Sequence, residues 1–71
     1  MQKLDLHGLR HHEVKYVIEN FVLLAELPVI IVTGNSFLMQ EFVREVVEKY
    51  DLSWQYQNHI NLGAIIITDK L

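Results

Sequence analysis

The sequence predicts an α/β domain, an α+β two-layer sandwich with the element order βαβαββ. Three observations carry that expectation. Two stretches, His11 to Glu26 and the one that follows Ser36, place apolar residues three and four apart, the repeat of helices with one buried stripe. Four other stretches are short, β-branched or alternating, and bounded by turn residues. Strands and helices alternate through the first five elements, which calls for parallel crossovers, whereas the last two strands are close enough in sequence to form an antiparallel hairpin. Right-handed crossovers put both helices on one face of the sheet. The two most apolar strands belong in its middle. The result is a mixed four-stranded sheet of order 1-2-4-3, its fourth strand antiparallel to the rest and its second face uncovered.

The first strand runs into Leu4-Asp5-Leu6-His7-Gly8. Successive side chains of a strand point to opposite faces, so Leu4 and Leu6 share the core side while Asp5 and His7 share the other. An acid and an imidazole are thereby set together on the open face. Gly8 is expected to end the strand, where the backbone turns without a Cβ in the way. In the first helix Val14, Val17, Ile18, Phe21, Val22 and Ala25 form the apolar stripe, Leu24 widens it and Leu23 falls outside it. Its start is poorly marked, because Arg10 lacks the side-chain oxygen of a good N-cap. Pro28 closes it, since proline disfavours helical geometry in the residue before it.

Val29 to Thr33 is β-branched at every position, as a central strand tends to be. Thr33-Gly34-Asn35-Ser36 turns the chain into the second helix, with Ser36 or Asn35 as cap. Met39, Phe42, Val43, Val46, Val47 and Tyr50 supply its apolar stripe. The two strand–turn–helix units have similar lengths, with Gly8 and Gly34 in equivalent places, which fits either an ancient duplication or the geometry of two successive βαβ units; weak side-chain identity favours geometry. Ser53 to Asn58 alternates, with Trp54 and Tyr56 on one face and Ser53, Gln55 and Gln57 on the other, an edge strand with one wet side. His59 to Gly63 is a turn, and Ala64 to Thr68 is the last strand.

With 71 residues the chain is one domain, 1–71. Hydrophobic residues make up 51% of it, yet no apolar run approaches the roughly 18 residues of a membrane span. The absence of cysteine excludes disulfides and thiolate metal sites. Met1-Gln2-Lys3 leads straight into a strand with no signal-peptide pattern, so a cytoplasmic location and no membrane partner are expected. Six basic residues against nine acidic ones leave a formal charge of −3, which argues against strong nonspecific binding to nucleic acid. The basic residues nonetheless gather near the opening motif, at Lys3, Arg10 and Lys15 with His11 and His12. Glu41, Glu45, Glu48 and Asp51 make the second helix acidic.

Taken together, these stretches resemble the small MutS-related (Smr) domain, in a stand-alone minimal form, over nearly the whole chain. Leu4-Asp5-Leu6-His7-Gly8 matches the family's L-D-L-H-G motif. Val32-Thr33-Gly34-Asn35-Ser36 stands where the family has a T-G-x-G or H-G-x-G turn, and Asn61-Leu62-Gly63 resembles its third, glycine-containing turn. The family fold resembles the C-terminal domain of translation initiation factor three. The resemblance implies a nucleic-acid-processing domain, binding DNA or RNA, with endonuclease (nicking) activity as a hydrolase of phosphodiesters. It implies Asp5 and His7 as catalytic residues and Thr33 and Gly34 as the second wall of the site. Imidazole can act as general acid or base near neutral pH, and a carboxylate can orient it or hold a divalent ion, here Mg or Mn. No other cofactor is expected.

Phosphate is expected at the two helix-opening turns, through Gly8, Arg10 and His11 on one side and Thr33, Gly34, Asn35 and Ser36 on the other, because free backbone N–H groups at a helix start attract anions. Two departures bear on activity: Ser36 replaces the family's later glycine, and Asn35 brings no cationic side chain. They keep a second reading open, a catalytically inactive nucleic-acid-binding or protein-interaction module of the same fold. Its open sheet face would take a protein partner or a second copy of the chain. Adjacent His11 and His12 point apart on a helix, so no histidine pair has zinc-site spacing, and no metal ligand is assigned. Trp54 and Tyr56 are expected to pack under the helices rather than stack bases.

Overall fold

The computed structural model describes residues 1–60 and 62–69. It contains β1 (Gln2–Asp5), α1 (His11–Leu24), β2 (Val29–Val32), α2 (Phe37–Lys49), β3 (Ser53–Tyr56) and β4 (Ala64–Thr68). The four strands form one sheet in the order β1-β2-β4-β3. β1 and β2 are parallel, and β4 runs antiparallel to both of its neighbours. This is the α+β topology that the alternation of periods and the hydropathy of the strands predict.

The register explains which side chains meet. Leu4, Ile31, Ile65 and Tyr56 line up across the sheet on one face, and Val29, Ile67 and Trp54 form the next row. Val29, Ile31, Ile65 and Ile67 are fully buried there against Val14, Ile18 and Val22 of α1 and Met39, Val43, Val46 and Val47 of α2. Trp54 and Tyr56 pack against the same core, their rings edge to face with centroids 5.3 Å apart. The opposite face carries Lys3, Ile30, Ile66 and Gln55 in one row, with Asp5, Val32 and Ala64 in the next. Nothing covers it among the described residues, and its Ile30, Val32, Ala64 and Ile66 are half-buried by one another and by their flanks.

Three local expectations need correction. β1 ends at Asp5 rather than at Gly8, because the Asp5 carboxylate accepts the His7 N–H at 2.9 Å and bends the chain in an Asx turn. Leu6 still donates its N–H to the Val32 carbonyl and is buried. Leu24 does not widen the apolar stripe of α1. It is 87% exposed on the last turn, where the helix ends four residues ahead of Pro28. Phe21 and Phe42 are only half-buried, so the centre of the core is β-branched: Ile18, Ile31, Ile65 and Ile67. The caps follow expectation. Arg10 makes no side-chain cap bond, whereas Ser36 Oγ accepts the Met39 N–H. Among the described residues no helix is long and apolar enough to cross a membrane.

Candidate active site

Asp5 and His7 meet beyond the carboxyl ends of the two parallel strands, the place where open α/β sheets present ligands. The Asx turn makes the meeting local. One carboxylate oxygen, Oδ1, accepts the His7 backbone N–H at 2.9 Å and lies 2.6 Å from His7 Nδ1. Both side chains are more than half exposed. The His7 backbone N–H, and then its side chain, hold the Asp5 carboxyl below its ordinary range, with Lys3 adding a small attraction. An ionised carboxylate only accepts hydrogen bonds, so Nδ1 must be the donor. The lone pair of the neutral ring is therefore left on Nε2, turned away from Asp5. A carboxylate that fixes the tautomer of an imidazole is the arrangement that prepares a general base.

Nε2 lies over Gly34. A Cβ built on that residue would come 3.1 Å from Nε2 and 3.7 Å from Cε1, and Gly34 holds φ at +63°. Glycine is thus favoured twice here, by the left-handed backbone and by the close approach of the ring. Gly8, with φ at +81°, has the same conformational need but open space around it.

The second turn differs from the expectation of an amide cradle. The Thr33 and Gly34 N–H groups both donate to the Gly63 carbonyl, at 2.8 and 3.0 Å, and the Thr33 hydroxyl donates to the carbonyls of Gly34 and Gly63. Thr33 is 4% exposed. Neither residue keeps a free backbone donor for phosphate; they anchor the turn to the start of β4. Ser36 is the cap, and Asn35 is exposed beside Gly34. The amides left unbonded by helix geometry are those of the first turn of α2, at Phe37 and Leu38. On the other side Gly8 and Arg10 are exposed. The His11 ring packs edge-on to Phe42, 6.3 Å between centroids, and lines the groove between the helices, so it is not gathered around the dyad. Asn61 of the third turn lies outside the described residues.

Gln40 escaped the sequence reading. Its amide nitrogen donates to the carbonyls of Gly34 (3.5 Å) and Leu62 (3.3 Å), and its oxygen accepts from the Tyr56 hydroxyl at 3.2 Å. It clasps the β2–α2 turn to the β3–β4 loop. The only available signal was a polar residue one turn past the cap and next to the buried Met39.

Charges are sorted by location. Lys15 pairs with Glu45, Arg44 with Glu41 and Lys49 with Glu19, all on the helical layer. Among the described residues, Lys3 and Arg10 are the basic side chains without an ion pair, and they flank Asp5 and His7 in sequence. No three His, Asp or Glu side chains among the described residues come together to hold a metal. For a divalent ion the site offers one carboxylate, whose Oδ1 is already engaged by His7; Mg²⁺ held that thinly would take most of its ligands from water and substrate. Comparison with protein-family models, with curated proteins and with solved structures returns no match to this chain.

Proposed function

We propose that the chain is a nucleic-acid-processing domain of the Smr type, which cleaves phosphodiester bonds with Asp5 and His7 as its acid–base pair. The observation that carries this reading is the 2.6 Å contact between Asp5 Oδ1 and His7 Nδ1, which leaves Nε2, beside Gly34, as the nitrogen available to act as base. His7 Nε2 takes a proton from the attacking hydroxyl, of water or of a ribose. Asp5 stabilises the imidazolium that forms, and the same proton passes to the leaving oxygen. Lys3 and Arg10 supply the positive charge next to the pair.

One observation favours a second reading, a binding module without cleavage. The Thr33 and Gly34 amides are satisfied internally, so they do not stabilise charge developing on a phosphate. Titration with labelled single-stranded, duplex and branched DNA and RNA, with and without Mg²⁺ or Mn²⁺, separates the two. Cleavage that falls about 10²- to 10⁴-fold in His7→Ala, with affinity nearly unchanged, supports the nuclease. Loss of binding in a folded His7→Ala makes the pair a recognition element and removes that reading. Equal cleavage by the wild type and the Asp5→Ala, His7→Ala double variant assigns the activity to a contaminant.

A further inference from the structure

Beside the Gly34 turn the surface is apolar, although loops around a polar dyad have no folding reason to be so. Phe37 is 75% exposed, and Leu38 and Leu62 are 42% and 41% exposed. Phe37 is the first residue of α2, three positions after Gly34, so its Cα lies within about 11 Å of the residue that His7 covers. The Leu62 backbone is tied to the same turn by Gln40, whose amide nitrogen donates to the carbonyls of both Leu62 and Gly34. The Ser36 cap and the Gln40 clasp hold the backbone that carries these exposed apolar residues.

Resting on the reading of Asp5 and His7 as a phosphodiester site, we infer that Phe37, with Leu62 beside it, is a stacking platform for an unpaired base next to the scissile phosphate. The substrate class is then single-stranded nucleic acid. Among the described residues, the two cations without an ion pair, Lys3 and Arg10, support about two phosphate contacts, a salt slope of about −1.4 on a single strand, which is too little for tight binding. Uncharged contact must supply the remainder, and stacking on an aromatic ring does so for any base that is not already stacked. A duplex keeps its bases stacked and asks for cations along two backbones, whereas Lys15, Arg44 and Lys49 are engaged by glutamates. The open sheet face offers no substitute platform, since Trp54 and Tyr56 lie on the core side.

The test is fluorescence anisotropy of a short labelled single strand and of a hairpin duplex, with cleavage followed in parallel. The variants are Phe37→Ala, Phe37→Trp and Tyr16→Ala, the last an aromatic of similar exposure in the groove between the helices. Circular dichroism checks that each is folded. Phe37→Ala should weaken single-strand binding about 5- to 150-fold, Phe37→Trp should restore it, and Tyr16→Ala should leave it unchanged. The duplex should bind at least tenfold more weakly than the single strand. Equal affinity for the duplex, or unchanged single-strand affinity in Phe37→Ala, overturns the platform, and His7-dependent cleavage in that case leaves the nuclease standing. Phe37-dependent binding without any cleavage supports the platform and removes the nuclease instead. Concentration-dependent sedimentation of the wild type that Phe37→Ala abolishes identifies the apolar surface as a self-contact and also overturns the proposal.

Discussion

The proton on His7 Nδ1 is assigned by its neighbour, and that makes Asp5 the residue to perturb first. Asp5→Asn keeps an oxygen able to accept the His7 N–H, so the turn survives, but it removes the charge that would stabilise an imidazolium. Cleavage should fall by about 10²-fold or more while the thermal midpoint barely moves. The depressed pKa of Asp5 also has a sign. Because the folded value lies below the unfolded one, its contribution is complete above the ordinary carboxylate pKa and is lost only as pH falls through the lower, folded value. The Asp5 side-chain carboxyl carbon resonance should therefore show its own titration step below the usual carboxylate range. Arg10 has the opposite role to the dyad. Arg10→Ala should weaken binding and reduce the salt slope by about one phosphate contact, with little effect on the rate of a saturated complex.

The two turns that open the helices look alike in backbone and differ in what surrounds them, so glycine substitution separates them. Gly8→Ala and Gly34→Ala each force a side chain into the left-handed region, at a cost of about 1 to 2 kcal/mol. Both should lower the thermal midpoint, by about 4 to 8 °C per kcal/mol in a domain of this size. Only at Gly34 does the new methyl meet the His7 ring. Gly34→Ala should thus depress cleavage well beyond its effect on stability, while Gly8→Ala should leave the folded fraction fully active. Equal activity loss in the two would show that His7 does not work from the position it occupies over Gly34.

The chain as a whole stands on a small β-branched core, with total stability of about 4 to 10 kcal/mol expected for its length. Ile65→Ala, at a fully buried position between two strands and both helices, should cost about 2 to 5 kcal/mol and bring the protein close to unfolding at room temperature. Leu24→Ala on the exposed last turn of α1 should cost almost nothing, and denaturation curves compare the two directly. The uncovered sheet face sets the limit on association. Four strands about 4.8 Å apart and four or five residues long present about 300 Å², against the roughly 800 Å² per partner of a standard interface. Contact of two copies through this face alone should be weak, with sedimentation at micromolar concentration giving a monomer; a tight dimer would require further surface.

Period and hydropathy determine the architecture. Spacings of three and four in α1 and α2, unbroken β-branching in β2, an apolar run in β4, and a short link between β3 and β4 leave one sheet order that buries the apolar strands centrally. The same alternation set Asp5 opposite Leu4, whereas Leu6 and His7 lie past the end of the strand, the first buried and the second exposed. It did not reveal that Asp5 and His7 touch, because that contact depends on the Asx turn in which the Asp5 carboxylate replaces a strand partner for the His7 N–H. Nor did the motif show that Thr33 and Gly34 have given their N–H groups to Gly63, a residue about thirty positions away. Which donors remain free for a ligand is settled by long-range hydrogen bonding, and local sequence carries no record of it. Gln40 and Phe37 became visible for the same reason: one clasps two loops that are distant in sequence, and the other is left in solvent at the start of α2.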